Sequence, residues 1–202
     1  MSAKVSPTKG NLMKIKKSLE LAKVGYELLD RKRNILIRET MSMIDSAKDF
    51  RERINVSFSR AYEALEKANM GLGVVDEFAE FVPVENGLSI SSRSVMGVEI
   101  PSVRLDAVRI DNHFGFKRTT AQLDEAYRLF NEVKVLTAEL AETENSIYRL
   151  ATGIKKAQKR ANALKNIIIP RFEMQVKEIT TALDEKEREE FSRLKVIKNI
   201  ID

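Results

Sequence analysis

Residues 126–168 read AYRLFNEVKVLTAELAETENSIYRLATGIKKAQKRANALKNII. Apolar side chains recur in this stretch at alternating steps of three and four: Ala126, Leu129, Val133, Leu136, Leu140, Ile147, Leu150, Ile154, Ala157, Ala161, Leu164 and Ile168. Thr143 alone interrupts the row, in a chain whose overall apolar content is 43%. A repeat of about 3.5 residues keeps one stripe of a helix against a partner and winds the pair into a left-handed supercoil. The N-terminal half carries the same rhythm. Leu12, Leu19, Tyr26, Ala47, Ile54, Ala61 and Ala68 form one row, and Ile15, Ala22, Leu29, Leu36, Met43, Phe50 and Ala64 a second. Only Arg33, Thr40, Ser57 and Gly71 break the two rows.

The segment between these seams obeys other rules. Pro83, Gly87, Gly97, Pro101 and Gly115 punctuate it, and apolar positions alternate: Leu88 and Ile90 with Ser89 and Ser91, Val98 and Ile100 with Glu99 and Pro101. Alternation predicts a short β-hairpin, placed with its turn near Ser92-Arg93; an irregular loop is the alternative. Three regions follow: an N-terminal coiled-coil helix over 8–70, a middle head over 71–118, and a C-terminal coiled-coil helix with its tip over 119–202. The first helix is expected to open near Ser6-Pro7-Thr8 and to end at Gly71 and Gly73; the last opens near Thr119 or Thr120. A compact head cannot return the chain along a first helix of about 95 Å. The fold class is therefore all-α, a long antiparallel two-helix coiled coil with a short head. Pairing Gly71 with Thr119 makes facing positions sum to roughly 190, and residues beyond about 182 extend as a lone helical tip. Pro170, inside Ile167-Ile168-Ile169, is expected to kink the helix or to end it. The seam then drifts to Phe172, Val176, Ile179 and Leu183, as a stutter does.

Composition narrows the function. The chain has 202 residues, no Trp and no Cys, 6% aromatic and 32% charged residues, the profile of a thin seam with a wet surface. Without Cys there are no disulfides or thiolate metal sites, and an intracellular setting is the natural expectation. No secretory signal and no membrane span is evident. The formal charge is +5, with the excess on the N-terminal helix, but acidic residues are interspersed and no aromatic platform accompanies them. Nucleic acid is not an expected partner. No phosphate loop appears, and His113, expected as a surface or packing residue, is the single histidine, which excludes histidine metal clusters and Ser-His-Asp triads. The run Asp184, Glu185, Glu187, Glu189, Glu190 is expected to pair with Lys186 and Arg188 on a solvated helix. The chain is expected to lack an active site and any cofactor. One surface stands out: Leu21, Leu28, Ile35, Ile37, Met41 and Ile44 are apolar yet lie off the seam. Either the head folds over them or a partner grips them, and a partner is favoured. The head itself, with Ser92, Arg93, Met96, Val98 and Ile100, is expected to regulate or dock, since a rod needs none of it for stiffness.

Four blocks carry a family resemblance. Ser6-Pro-Thr-Lys-Gly-Asn-Leu12 with Leu28-Leu-Asp-Arg-Lys-Arg33, then Ser94-Val-Met-Gly-Val-Glu-Ile-Pro101, then Arg160-Ala-Asn-Ala-Leu164 with Ile169-Pro170, and Leu183-Asp-Glu-Lys-Glu-Arg-Glu-Glu-Phe-Ser-Arg-Leu-Lys195 resemble the D subunit of the vacuolar/archaeal-type rotary ATPases. Lys165 departs from the pattern, which tends to be acidic there. The resemblance implies a central rotor stalk of a V/A-type ATP synthase, coupling ATP turnover to proton or sodium movement without direct membrane insertion. Implied partners are the ring of catalytic and regulatory subunits, the small F subunit of the stalk and the funnel-shaped subunit above the membrane rotor. The implied location is peripheral, on the cytoplasmic face of the membrane. The competing class is a static coiled-coil tether or a prefoldin-like chaperone. On the rotor reading, Arg31, Lys32, Arg33, Lys155, Lys156, Lys159 and Arg160 fall at one height and would face acidic loops of the catalytic ring.

Overall fold

A computed structural model describes residues 6–75, 82, 84–105 and 119–201. His113 lies outside the described residues, as do Pro83 and Gly115. Helix α1 spans Lys9–Leu72. Thr8 opens it: its Oγ1 accepts the Asn11 N–H at 3.3 Å and its carbonyl accepts the Leu12 N–H at 3.0 Å. The hydroxyl thus satisfies one of the amides a first turn leaves without an intrahelical partner. At the other end Gly73 takes φ +82° and its N–H bonds to Asn69 O at 2.9 Å. That left-handed closure carries no Cβ penalty at glycine.

Helix α2, Ala121–Ala163, continues through a π-turn, Leu164–Ile168, into helix α3, Ile169–Ile201. Pro170 therefore does not end the helix. Its ring crowds the carbonyl four residues back and it has no N–H to donate. One widened turn, in which the Ile169 N–H bonds to Leu164 O, takes up an extra residue just before it. The drift of the seam to Phe172, Val176, Ile179 and Leu183 has that origin; Ile179 is buried and the other three are half-buried.

The chain divides into two compact units, each built from parts of both long helices. The first comprises Met1–Asn34 and Lys155–Asp202. Lys9 pairs with Glu187 at 2.9 Å and Lys23 with Glu173 at 2.8 Å, and a Cβ on Gly25 would meet Leu164 Cδ1 at 3.7 Å. Numbers rise on one helix as they fall on the other, so the segments pack antiparallel. Ile15, Ala22, Ala157, Ala161 and Ile179 fill the seam. From Asp184 to Ile200 every residue is exposed. Within the acidic run Glu187 pairs with Lys9 and Glu189 with Arg193 at 3.7 Å, in place of the expected Lys186 and Arg188. Residues one or two apart on a helix point in different directions, which favours partners a turn away or on the facing helix.

The second unit is Ile35–Ile154. Arg51 pairs with Glu144 at 2.6 Å, Tyr62 meets Phe130 edge-on with centroids 5.6 Å apart, and a Cβ on Gly71 would lie 3.5 Å from Gln122 Oε1. These contacts are again antiparallel. Ala47, Ile54, Ala61 and Ala68 from α1 are buried, as are Leu123, Ala126 and Val133 from α2.

Strands β1, Leu88–Val95, and β2, Val98–Leu105, form an antiparallel hairpin. The turn is Met96-Gly97, with φ of 50° and 73°, and not Ser92-Arg93. A two-residue turn with both central residues at positive φ matches the twist of its strands, and Gly97 adopts such a φ freely. Ser92 instead pairs with Pro101 and Arg93 with Ile100 in mid-strand. Counting from the turn, Ser92–Pro101 falls at a non-hydrogen-bonded pair, so the ladder loses nothing to the proline.

Candidate functional site

The hairpin is seated by three devices. Ile100 is fully buried with Leu36 and Leu150, and Met43, Val95, Val98 and Ile154 surround them. Gly153 leaves the room: a Cβ there would stand 2.7 Å from Val98 Cγ2. The outward edge of β2 is then tied to α2, with the Val103 N–H donating to Glu142 Oε2 at 2.7 Å and Arg149 donating to Glu99 O at 3.4 Å. Lys134 and Glu85 form a further link at 2.6 Å. Among the five expected head residues, Ser92, Arg93 and Met96 are exposed, whereas Val98 is half-buried and Ile100 belongs to the core. The head is thus also structural, because it supplies Ile100, a fully buried residue, to a cluster whose other fully buried members among the described residues, Leu36 and Leu150, come from the coil. Sequence reasoning missed Glu142, Arg149 and Gly153. A glycine within a continuous helical seam was the available signal for the last; the other two look like ordinary helix-surface charges.

The basic residues lie in the first unit. Counting from the Gly25–Leu164 contact, Arg31 stands opposite Gln158, between Lys155 and Lys156 on one side and Lys159 and Arg160 on the other. Arg31, Lys155, Lys156, Lys159 and Arg160 are exposed, and Lys32 and Arg33 half-buried. Arg33 pairs with Asp30 at 2.7 Å and contacts Asn34 Oδ1 at 3.3 Å. The other six have no ion pair among the described residues. Lys165 extends the charge into the π-turn and rests over the Tyr26 ring, 5.7 Å from its centroid. A cation–π contact of this kind holds a cation against an aromatic face.

Residues 11–199 match the family described as the D subunit of ATP synthase. The V-type ATP synthase D subunit of Thermotoga neapolitana is 42% identical over 196 residues, covering 96% of this chain and 97% of that protein. The A-type ATP synthase D subunit of Methanobrevibacter smithii is 39% identical over 203 residues, covering 98% and 88%. That of Thermococcus sibiricus is 36% identical over 204 residues, covering 98% and 95%. This chain belongs to the ATP synthase D-subunit family.

The match to the D-subunit family takes in both long helices and the hairpin. Off the seam, Leu21 and Leu28 of the first unit are 64% and 60% exposed, and in the second unit Ile35, Ile37 and Met41 are exposed while Ile44 is half-buried. The hairpin packs on Leu36 and Met43 and leaves Ile35, Ile37 and Met41 open. A further apolar group, Phe191, Leu194, Val196, Ile197 and Ile200, is exposed along the end of α3. Among the described residues no cluster of His, Cys, Asp or Glu is arranged to hold a metal ion, and no helix is long and apolar enough to cross a membrane.

Proposed function

We propose that this chain is the central rotor stalk of a V/A-type ATP synthase, a torque-bearing component with no active site of its own. The observation that carries the reading is the antiparallel pairing of two long helices within one chain of the D-subunit family. Such a pair resists twisting because each helix is laterally held along its seam, and its termini come to the same end. The exposed apolar end of α3 is suited to an enclosing sleeve, supplied by the ring of catalytic and regulatory subunits. The unpaired cations around Arg31 and Lys159 face acidic loops of that ring, met in turn as the shaft rotates. Leu21, Leu28, Ile35, Ile37, Met41 and Ile44 serve the small F subunit of the stalk, and the funnel-shaped subunit joins the shaft to the membrane rotor. The complex then works from the cytoplasmic face of the membrane, moving protons or sodium ions.

The test is reconstitution of the complex with and without this chain, reading ATP hydrolysis and ion movement together. Hydrolysis that no longer drives ion movement when the chain is withheld supports the shaft. Intact coupling without it rules the shaft out. The purified chain alone should hydrolyse no nucleotide.

A further inference from the structure

The hairpin has two edges, and among the described residues only one is tied to the coil. Along β2 three of the outward backbone groups are occupied or missing: Glu99 O accepts from Arg149, Val103 N–H donates to Glu142, and Pro101 between them has no N–H. β1 has no such contact among the described residues. In the described residues its only strand neighbour is β2, and every residue from Leu88 to Ser94 is exposed. Counting from the turn, Ile90, Ser92 and Ser94 occupy non-hydrogen-bonded pairs, so their N–H and C=O groups point away from β2. The strand also lacks the proline and the bulge by which free edges are often blunted, and Arg93 is its single charge; its register with β2 is unbroken over eight pairs.

The side chains show what the edge accepts. Cross-strand partners share a face, so Leu88, Ile90, Val103 and Leu105 form an apolar group on one face, with Ile90 70% exposed. The opposite face, which toward the turn packs Val95, Val98 and Ile100 on the coil, carries the exposed Ser89, Ser91, Arg93 and Arg104, and neither arginine has an ion pair among the described residues. A strand laid against β1 would present alternate side chains to these two faces. Apolar residues fit the first and carboxylates the second.

We propose that the outer edge of β1 is a docking edge, completed in the assembled synthase by an extended segment of another subunit whose apolar residues alternate with acidic ones. This inference takes up the docking alternative expected of the head from the sequence and is independent of rotation. The backbone of Ile90, Ser92 and Ser94 then provides affinity, and Arg93 and Arg104 provide selection for acid, the division of labour found in strand addition generally.

Amide hydrogen exchange, resolved by residue and compared between the isolated chain and the assembled synthase, tests it. The amides of Ile90, Ser92 and Ser94 should slow at least tenfold on assembly. Those of Ser91 and Arg93, already bonded to β2, should change far less. Unchanged exchange at the first three overturns the proposal, and so does slowing of all β1 amides alike, which marks a surface laid over the sheet. Ser92→Pro removes one outward donor at a pair that needs none for the β1–β2 ladder, and should weaken retention of the chain at least tenfold. Arg93→Glu breaks no ladder bond and should weaken retention likewise, which keeps the test decisive should Ser92→Pro disorder the hairpin. Full retention of Arg93→Glu across low and high salt overturns the acidic partner. Coupling of hydrolysis to ion movement, read in the same preparations, reports on the shaft separately.

Discussion

Replacing Gly153 with alanine probes how the hairpin is held. An added Cβ would stand 2.7 Å from Val98 Cγ2, 3.6 Å from Val98 Cγ1 and 3.8 Å from Leu36 Cδ1. The first distance is about 1 Å inside an ordinary carbon–carbon contact. Val98 cannot turn aside cheaply, because a β-branched side chain has few rotamers and this one already packs against Leu36, Leu150 and Ile100. Overpacking of this kind costs on the order of 1–3 kcal/mol. Against it stands the helix preference for alanine over glycine, about 0.8–1 kcal/mol. Gly25→Ala supplies the comparison within the same helical pair type, since its Cβ meets only Leu164 Cδ1, at an ordinary 3.7 Å.

Gly25→Ala should therefore gain stability and Gly153→Ala lose it or stay level, a difference of roughly 1–3 kcal/mol. At roughly 2–4 °C per kcal/mol for a chain of this size, thermal unfolding followed by circular dichroism resolves the two. A third variant makes the cause explicit. In a Gly153→Ala background, Val98→Ala removes the clashing methyls, so the pair should be non-additive by about 1 kcal/mol or more in the favourable direction. If Gly153→Ala stabilises as much as Gly25→Ala, or if the double variant is additive, the glycine is not a socket for the hairpin and the packing argument fails.

Met96 holds φ 50° beside Gly97, a conformation costly for a residue with a Cβ and easier for asparagine; Met96→Asn should stabilise the hairpin by roughly 0.5–1 kcal/mol, seen as slower amide exchange at Val95 and Val98. The Glu85 carboxyl is held below its ordinary range, first by the hydrogen bond from Lys134 and then by the Gly87 N–H. Because its folded value is depressed, the contribution is present above the unfolded value and fades as acid protonates the folded group. A carboxyl titration should place its midpoint low, and Lys134→Met should move it upward; an unmoved midpoint refutes the pairing. Cysteines at Leu36 and Ile154, which pack in one cluster, should form a disulfide within one chain under mild oxidation, and cross-linking only between chains would sink the hairpin of helices. Reversing Arg31, Arg33, Lys156 and Arg160 to Glu should weaken assembly with the catalytic ring or alter the salt dependence of turnover, and constancy of both across salt would leave only a solvated patch.

The helical pairing was legible because it repeats: many seam positions must agree, so one exception such as Thr40 is absorbed. Thr40 is buried and its Oγ1 bonds back to Leu36 O at 2.7 Å. The hairpin was legible as alternation but its turn was misplaced, since Met96 is an uncommon residue at positive φ and Ser92-Arg93 looks more turn-like. The π-turn was hidden for a related reason. Pro170 announces trouble, but whether a helix breaks, bends or widens depends on what its flanks pack against, and Ile179 and Leu183 reward continuation. Glu142 and Arg149 were invisible because their partners are backbone groups of β2, which no spacing on α2 encodes.

The unpaired cations fit the work proposed for them because of what they lack. Elsewhere Lys9, Lys23, Arg51, Arg128 and Lys134 each find a carboxylate within the chain, so acidic partners were available to a helical pair of this composition. Leaving Arg31, Lys32, Lys155, Lys156, Lys159 and Arg160 without a carboxylate partner among the described residues carries a small penalty in the isolated chain. Exposed ammonium and guanidinium groups spread into water, and at physiological salt their fields decay over about 8 Å. Meeting an external carboxylate then gains roughly 0–1 kcal/mol per pair, summed over several contacts. A fixed, buried pair would behave differently, since separating one costs about 3–5 kcal/mol and would brake a shaft at each step. Weak, exposed and plural contacts form and release within thermal reach. Arg33, half-buried and held by Asp30, is the exception; it stabilises α1 locally and leaves its six neighbours free to face outward.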